Sequence, residues 1–108
     1  MSPQLSSAPG SGDDGIQSAL EFLRGRGDWI GYKFDSGEAD AIEASDLQEI
    51  ITEIGGILPQ VKKKDRALAR RLENIQDSCF AGKRLLREDK LNKYFEHLRS
   101  LADQLRWL

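Results

Sequence analysis

Cysteine, histidine and methionine each occur once in this 108-residue chain. A single cysteine, Cys79, excludes an internal disulfide. With His97 as the only histidine, the chain also lacks the four His/Cys ligands of an ordinary structural zinc site. Any Ser-His-Asp or Cys-His apparatus would have to use His97. There are 3 prolines, and aromatic residues make up 7%. No apolar run approaches the ~18 residues of a membrane-spanning helix. No basic-then-apolar leader pattern opens the sequence. What is present is 39% hydrophobic and 31% charged residues, a soluble globular composition. The length suits one domain with one core.

Charge is distributed unevenly. The net charge is -2, but residues 1–58 hold three basic and eleven acidic residues, whereas residues 59–108 hold thirteen basic and seven acidic. This asymmetry points to a basic face that meets an acidic partner. The plainer alternative is that the halves neutralise each other within the fold. The acidic total argues against direct sequence-specific nucleic-acid binding.

Residues 1–12, MSPQLSSAPGSG, carry no charged side chain and little apolar surface, so they read as a disordered tail or linker. A single helical domain is expected over residues 13–108. Asp13 or Asp14 can cap a first helix, whose Ile16, Ala19, Leu20 and Leu23 share one face, and Gly25 and Gly27 would end it. Ile30, Tyr32 and Phe34 alternate, which predicts a short strand, with Asp35-Ser36-Gly37 as a turn and a second strand near Asp40–Glu43. Ser45 and Gln48 fit a capping box for a second helix with Leu47, Ile50, Ile51 and Ile54 inward, ended by Gly55-Gly56. A third helix is expected from about Lys64 to Leu86, with Leu68, Leu72, Ile75 and Cys79 on one face. After a break at Glu88–Asp89, Leu91, Phe95, Leu98, Ala102 and Leu105 form the stripe of a last helix. The expected fold is therefore α+β, mostly α: a compact bundle of about four helices with a small β-hairpin after the first.

Few residues offer chemistry. His97 lies at the polar border of the last helix, where a surface role is the ordinary one. Cys79 falls on an apolar face and reads as a small core residue. Gly25-Arg26-Gly27 is too short for a phosphate-binding fingerprint. Asp35, Glu38, Asp40 and Glu43 cluster without calcium-loop spacing. The Arg26-Gly27-Asp28 triplet is too short a match to argue recognition. No catalytic, metal or cofactor site emerges. The basic residues are the stronger lead. Lys63, Arg66 and Arg70 share the third helix's outer side, Lys83, Arg84 and Arg87 add charge near its end, and Lys62, Lys64 and Arg71 flank it. A solvated basic face is the plain reading. The functional one is a docking surface for a partner's carboxylates, a task that suits arginine's bidentate geometry.

Two stretches resemble the C-terminal domain of rhabdovirus phosphoproteins. Leu20-Glu21-Phe22-Leu23-Arg24-Gly25-Arg26-Gly27-Asp28-Trp29-Ile30 resembles a vesiculovirus turn that leads into a hairpin. Leu85-Leu86-Arg87-Glu88-Asp89-Lys90-Leu91-Asn92-Lys93 resembles the lyssavirus segment between the last two helices. Between them, Leu47-Gln48-Glu49-Ile50-Ile51 and Pro59-Gln60-Val61 are similar to a middle lyssavirus helix and its exit, so the likeness is co-linear over roughly residues 16–100. The resemblance implies a helical domain with a small hairpin that binds viral nucleoprotein in complex with RNA. That domain would tether the polymerase, which is contacted by regions outside this chain, in the virion and host cell cytoplasm. By position, Arg24 and Arg26 match basic residues at the end of the family's first helix, and Arg70 or Arg71 lies within a residue of one on its long helix. The chain departs from the lyssavirus pattern at Asn74, where that pattern has an exposed Trp, and at Ala81-Gly82, where it has a Lys pair. An interferon-antagonist surface is therefore not implied.

The expected function is a non-enzymatic module whose partner-binding residues are Arg24, Arg26, Lys63, Arg66, Arg70, Arg71, Lys83 and Arg84, with no cofactor and no membrane contact. The alternative is a small bacterial helical adaptor or immunity-type protein that uses its acidic hairpin. An enzyme built on His97 is the third and weakest reading.

Overall fold

The structure, a computed structural model, describes residues 11–108. The tail expected at residues 1–12 lies outside the described residues except for Ser11 and Gly12, which are helical. Four helices follow in order: α1 (Ser11–Asp35), α2 (Ala44–Lys64), α3 (Arg66–Arg87) and α4 (Leu91–Arg106), with one 3-10 turn at Ala39–Ala41 between α1 and α2. There is no strand among the described residues.

The expected β-hairpin is thus overturned, and the reason lies in helical spacing. Leu20, Leu23, Gly27, Ile30 and Phe34 continue one face of a 3.6-residue period straight through Gly25 and Gly27. Leu23 and Ile30 are fully buried, whereas Tyr32, which strand alternation would have placed beside them, is 62% exposed. Burial of that face outweighs the β preference of Trp29, Tyr32 and Phe34. The expected second strand near Asp40–Glu43 is instead the end of the 3-10 turn and the entry to α2.

Gly27 does not stop α1 but lets α4 approach it. A Cβ there would stand 2.9 Å from the Ala102 carbonyl oxygen and 2.9 Å from Leu105 Cβ. The true end of α1 comes at Gly37, whose φ of 76° permits a closing turn in which the Glu38 amide donates to the Lys33 carbonyl at 2.7 Å. Asp89 plays the corresponding part after α3 with φ 62°, and the Lys90 amide donates to the Leu85 carbonyl.

The start of α2 also differs from expectation. Its N-cap is Glu43, whose amide donates to the Asp46 carboxylate at 2.8 Å, so Ser45 sits inside the first turn rather than capping it. Gly55-Gly56 does not end α2, because Ile57 and Val61 extend its buried face by another turn and more. Pro59 lies inside the helix. It cannot donate to the Gly55 carbonyl, but both residues are exposed, so water can meet that acceptor. The start of α3 follows ordinary capping: the Leu68 amide donates to Asp65 Oδ1 at 3.0 Å.

Neighbouring helices run antiparallel. Arg26 on α1 reaches Asp46 and Glu49 near the start of α2. Gln48 and Ile51 on α2 meet Lys83 and Gln76 on α3. Ser78 and Gly82 on α3 meet His97 and Tyr94 on α4. Gly27 on α1 meets Ala102 and Leu105 on α4, which closes the up-down-up-down bundle. One continuous core fills it, with Leu23, Leu47, Ile54, Leu72, Leu98, Leu101 and Leu105 fully buried. The expected stripe of α4 is turned slightly: Tyr94 and Leu101 are buried, Phe95 is only partly so, and Leu91 is 44% exposed. Tyr94 is admitted to the core because its hydroxyl donates to the Ile42 carbonyl at 3.2 Å.

Candidate protein-binding surface

The antiparallel packing places the end of α2, the start of α3, the start of α1 and the end of α4 at one end of the bundle. Six of the ten residues from Lys62 to Arg71 are basic, and one, Asp65, is acidic. Asp65 is committed to capping α3. The three lysines that close α2 are favoured by the carbonyl-rich end of that helix. Arg66 stands in the first turn of α3, where the helix dipole disfavours a cation. Local stability therefore does not account for it. Lys62, Arg66 and Arg70 line a shallow depression of about 260 Å³ with Ala69 and Glu73. Lys62 is held by Glu73 at 3.2 Å, while Lys63, Arg66 and Arg70 are exposed.

The other sequence-predicted site residues divide. Arg71 belongs to the same end of the bundle but turns toward α4, where its guanidinium donates to the Trp107 carbonyl. Arg24 is half-buried on α1, the helix diagonal to α3. Arg26 is spent inside the molecule: it pairs with Glu49 and with Asp46 at 3.9 Å, and its guanidinium lies 5.5 Å from the Phe22 ring centre and 5.1 Å from that of Trp29. Lys83 donates to Gln48 Oε1 at 2.6 Å, so it ties α3 to α2. Arg84 is exposed, but it follows Arg70 by fourteen residues, about 21 Å along the helix. The fold thus gathers Lys63, Arg66 and Arg70, with Arg71 beside them. It leaves Arg24 across the bundle on α1, and Arg26, Lys83 and Arg84 elsewhere.

The acidic residues expected on a hairpin occupy the opposite end, around the 3-10 turn. Glu38 pairs with Lys33 at 3.6 Å and accepts from the Ser36 hydroxyl, and Asp46 caps α2. His97 Nε2 lies 2.7 Å from the Ser78 carbonyl oxygen, so that nitrogen carries the proton and donates. The ring therefore joins α4 to α3 instead of facing a substrate cleft. Burial pushes the Cys79 thiol up to about 12, which removes it as a nucleophile near neutral pH. Burial, with the Asp46 charge adding to it, pushes the Tyr94 hydroxyl up to about 12. Among the described residues no three His, Cys, Asp or Glu side chains stand together to hold a metal ion. No described helix is long and apolar enough to cross a membrane.

Comparison with family models, curated proteins and solved structures finds no match. The basic end of the bundle therefore stands on its own geometry. Sequence reasoning missed Trp107, a large aromatic that is 79% exposed at the end of α4. Its only sequence signal is that it falls off the Leu98–Leu101–Leu105 stripe.

Proposed function

We propose that this chain is a non-enzymatic binding module that docks an acidic segment of a protein partner through Lys63, Arg66 and Arg70 at the α2–α3 end. The observation that carries the reading is the concentration of exposed cations there, including Arg66 in a turn whose own dipole opposes it. The partner implied by the phosphoprotein resemblance is RNA-bound viral nucleoprotein, with the module tethering a polymerase to its template. One arm of that resemblance led into a hairpin, and those residues are helical. The viral partner thus rests on the remaining sequence likeness and on the basic surface.

Cosedimentation with nucleoprotein–RNA tests both levels. Binding is expected at low salt and should fall as ionic strength rises, because exposed charges are screened. The Arg66→Glu/Arg70→Glu variant should lose it with its helical circular dichroism unchanged, while Asp35→Lys/Glu38→Lys should retain it. Loss in the acidic-end variant alone would reverse the docking face. Binding to an unrelated acidic protein through the same arginines, without binding to nucleoprotein, would keep the docking reading and discard the viral partner.

A further inference from the structure

The helix α4 has 16 residues, against 25, 21 and 22 in α1, α2 and α3. It ends level with Arg71, which donates to the Trp107 carbonyl. From there α3 continues five residues back to Arg66, about 7–8 Å. At the level of Gly27, α1 touches Ala102, Leu105 and Arg106, and it too continues far past the end of α4, to Ser11. The bundle therefore has a step where three helices go on and the fourth stops. Trp107 and the half-buried Leu108 form its floor. On the α3 side, Ala67 is one turn before Arg71 and exposed, and Leu68 is half-buried. On the α1 side, Arg24 is three residues before Gly27 and so shares its α4-facing side. Depressions of about 360 Å³ and 410 Å³ lie on either side of Trp107, the first with Ile75, Arg71 and Asn74 in its wall.

We propose that this step receives a short partner segment in which an apolar side chain, seated against Trp107, is flanked by carboxylates. The proposal rests on the docking function above and adds its anchor. An indole left 79% exposed between two cavities is apolar area that a partner can bury, and tryptophan and arginine are both enriched among the residues that carry most of the energy of an interface. Charge selects the sign of the segment. Asp103 borders both cavities and is held by Arg106 at 3.4 Å, whereas Asp28 lines only the second, so the carboxylates are directed to the first cavity, on the Arg71 side. Arg24 and Arg71 flank the step without a carboxylate partner among the described residues, and Arg70 adjoins Arg71 on α3. A single segment can thus place an apolar residue on Trp107 and its carboxylates toward Arg71 and the basic end of α3.

Two labelled synthetic peptides separate this anchor from the general docking function. One carries a Leu-Phe pair between runs of aspartate, and in the other the pair is replaced by serines. Fluorescence anisotropy should show that Trp107→Ala weakens the Leu-Phe peptide by about tenfold or more and leaves the serine peptide unchanged. Trp107→Phe should restore most of the loss. The Arg66→Glu/Arg70→Glu variant should weaken both peptides. If Trp107→Ala binds both peptides as the wild type does, the anchor is wrong and the docking function stands. If neither peptide binds the wild type, both readings fail. If a thymidine oligonucleotide binds in a Trp107-dependent way and displaces the Leu-Phe peptide, the step is a base-stacking site and the proposal is overturned.

Discussion

Two glycines, two residues apart on α1, have opposite meanings. A Cβ at Gly25 meets nothing within 4 Å, whereas one at Gly27 meets the α4 backbone at 2.9 Å. Gly25→Ala should therefore stabilise by about 0.5–1 kcal/mol through helix propensity. Gly27→Ala should destabilise by about 1–3 kcal/mol, because the two helices must separate to admit the methyl group. Thermal unfolding of the pair measures both, and equal shifts would mean that α1 and α4 do not cross at Gly27. Cys79 and Tyr94 set a second residue-scale expectation. Each has a folded pKa of about 12, above an ordinary value near 9 for the thiol and near 10 for the phenol. The unfolded chain releases those protons first, so stability is full below about pH 9 and falls as pH rises toward 12. The slope approaches about 1.4 kcal/mol per pH unit for each group ionised only in the unfolded state. Cys79→Ala should flatten the first part of that decline in urea unfolding measured between pH 8 and 11, whatever it costs in packing.

At the scale of the element, each helix is held by its buried face more than by local signals. Leu98 is fully buried on α4, and Leu98→Ala should cost about 2–5 kcal/mol by denaturant unfolding. A loss near half a kcal/mol would place the stripe on the wrong side. The inward residues of α2 and most of those of α3 were readable from spacing: Leu47, Ile50, Ile51 and Ile54, then Leu72, Ile75 and Cys79, are buried as expected, while Leu68, expected with them, is half-buried. The boundaries of α1 and α2 were not. Glycine and proline weaken a helix locally by about 1–3 kcal/mol in propensity, yet Ile30, Ile57 and Val61 beyond them gain comparable free energy by burial. Propensity is a property of the residue and burial a property of its neighbours, so only the first could be seen in the chain. The segment Trp29–Phe34 shows the same conflict, because Ile30 and Phe34 satisfy both strand alternation and helical i, i+4 spacing.

For the whole molecule, the division of charge seen in the sequence survives folding only in part. The basic residues 62–71 form one end, whereas at the other Asp35, Glu38, Asp40 and Glu43 share the surface with Arg84, Arg87, Lys90 and Lys93, where α3 passes into α4. Partner association should therefore depend steeply on salt and mainly in its rate of formation, which stopped-flow mixing at two ionic strengths would measure. A rate insensitive to salt would count against charge-steered docking. The chain by itself determined the number of helices, the inward face of α2, most of that of α3, Leu98, Ala102 and Leu105 on α4, and the basic run, because each is written in local order and helical period. The tertiary structure decided the rest. It turned the hairpin into helix by offering Ile30 a core. It consumed Arg26 and Lys83 in contacts with α2, so they are not free cations. It also exposed Trp107 by ending α4 beside longer neighbours. Those outcomes depend on which helices lie side by side and at what level, and that is settled by packing between residues far apart in the sequence.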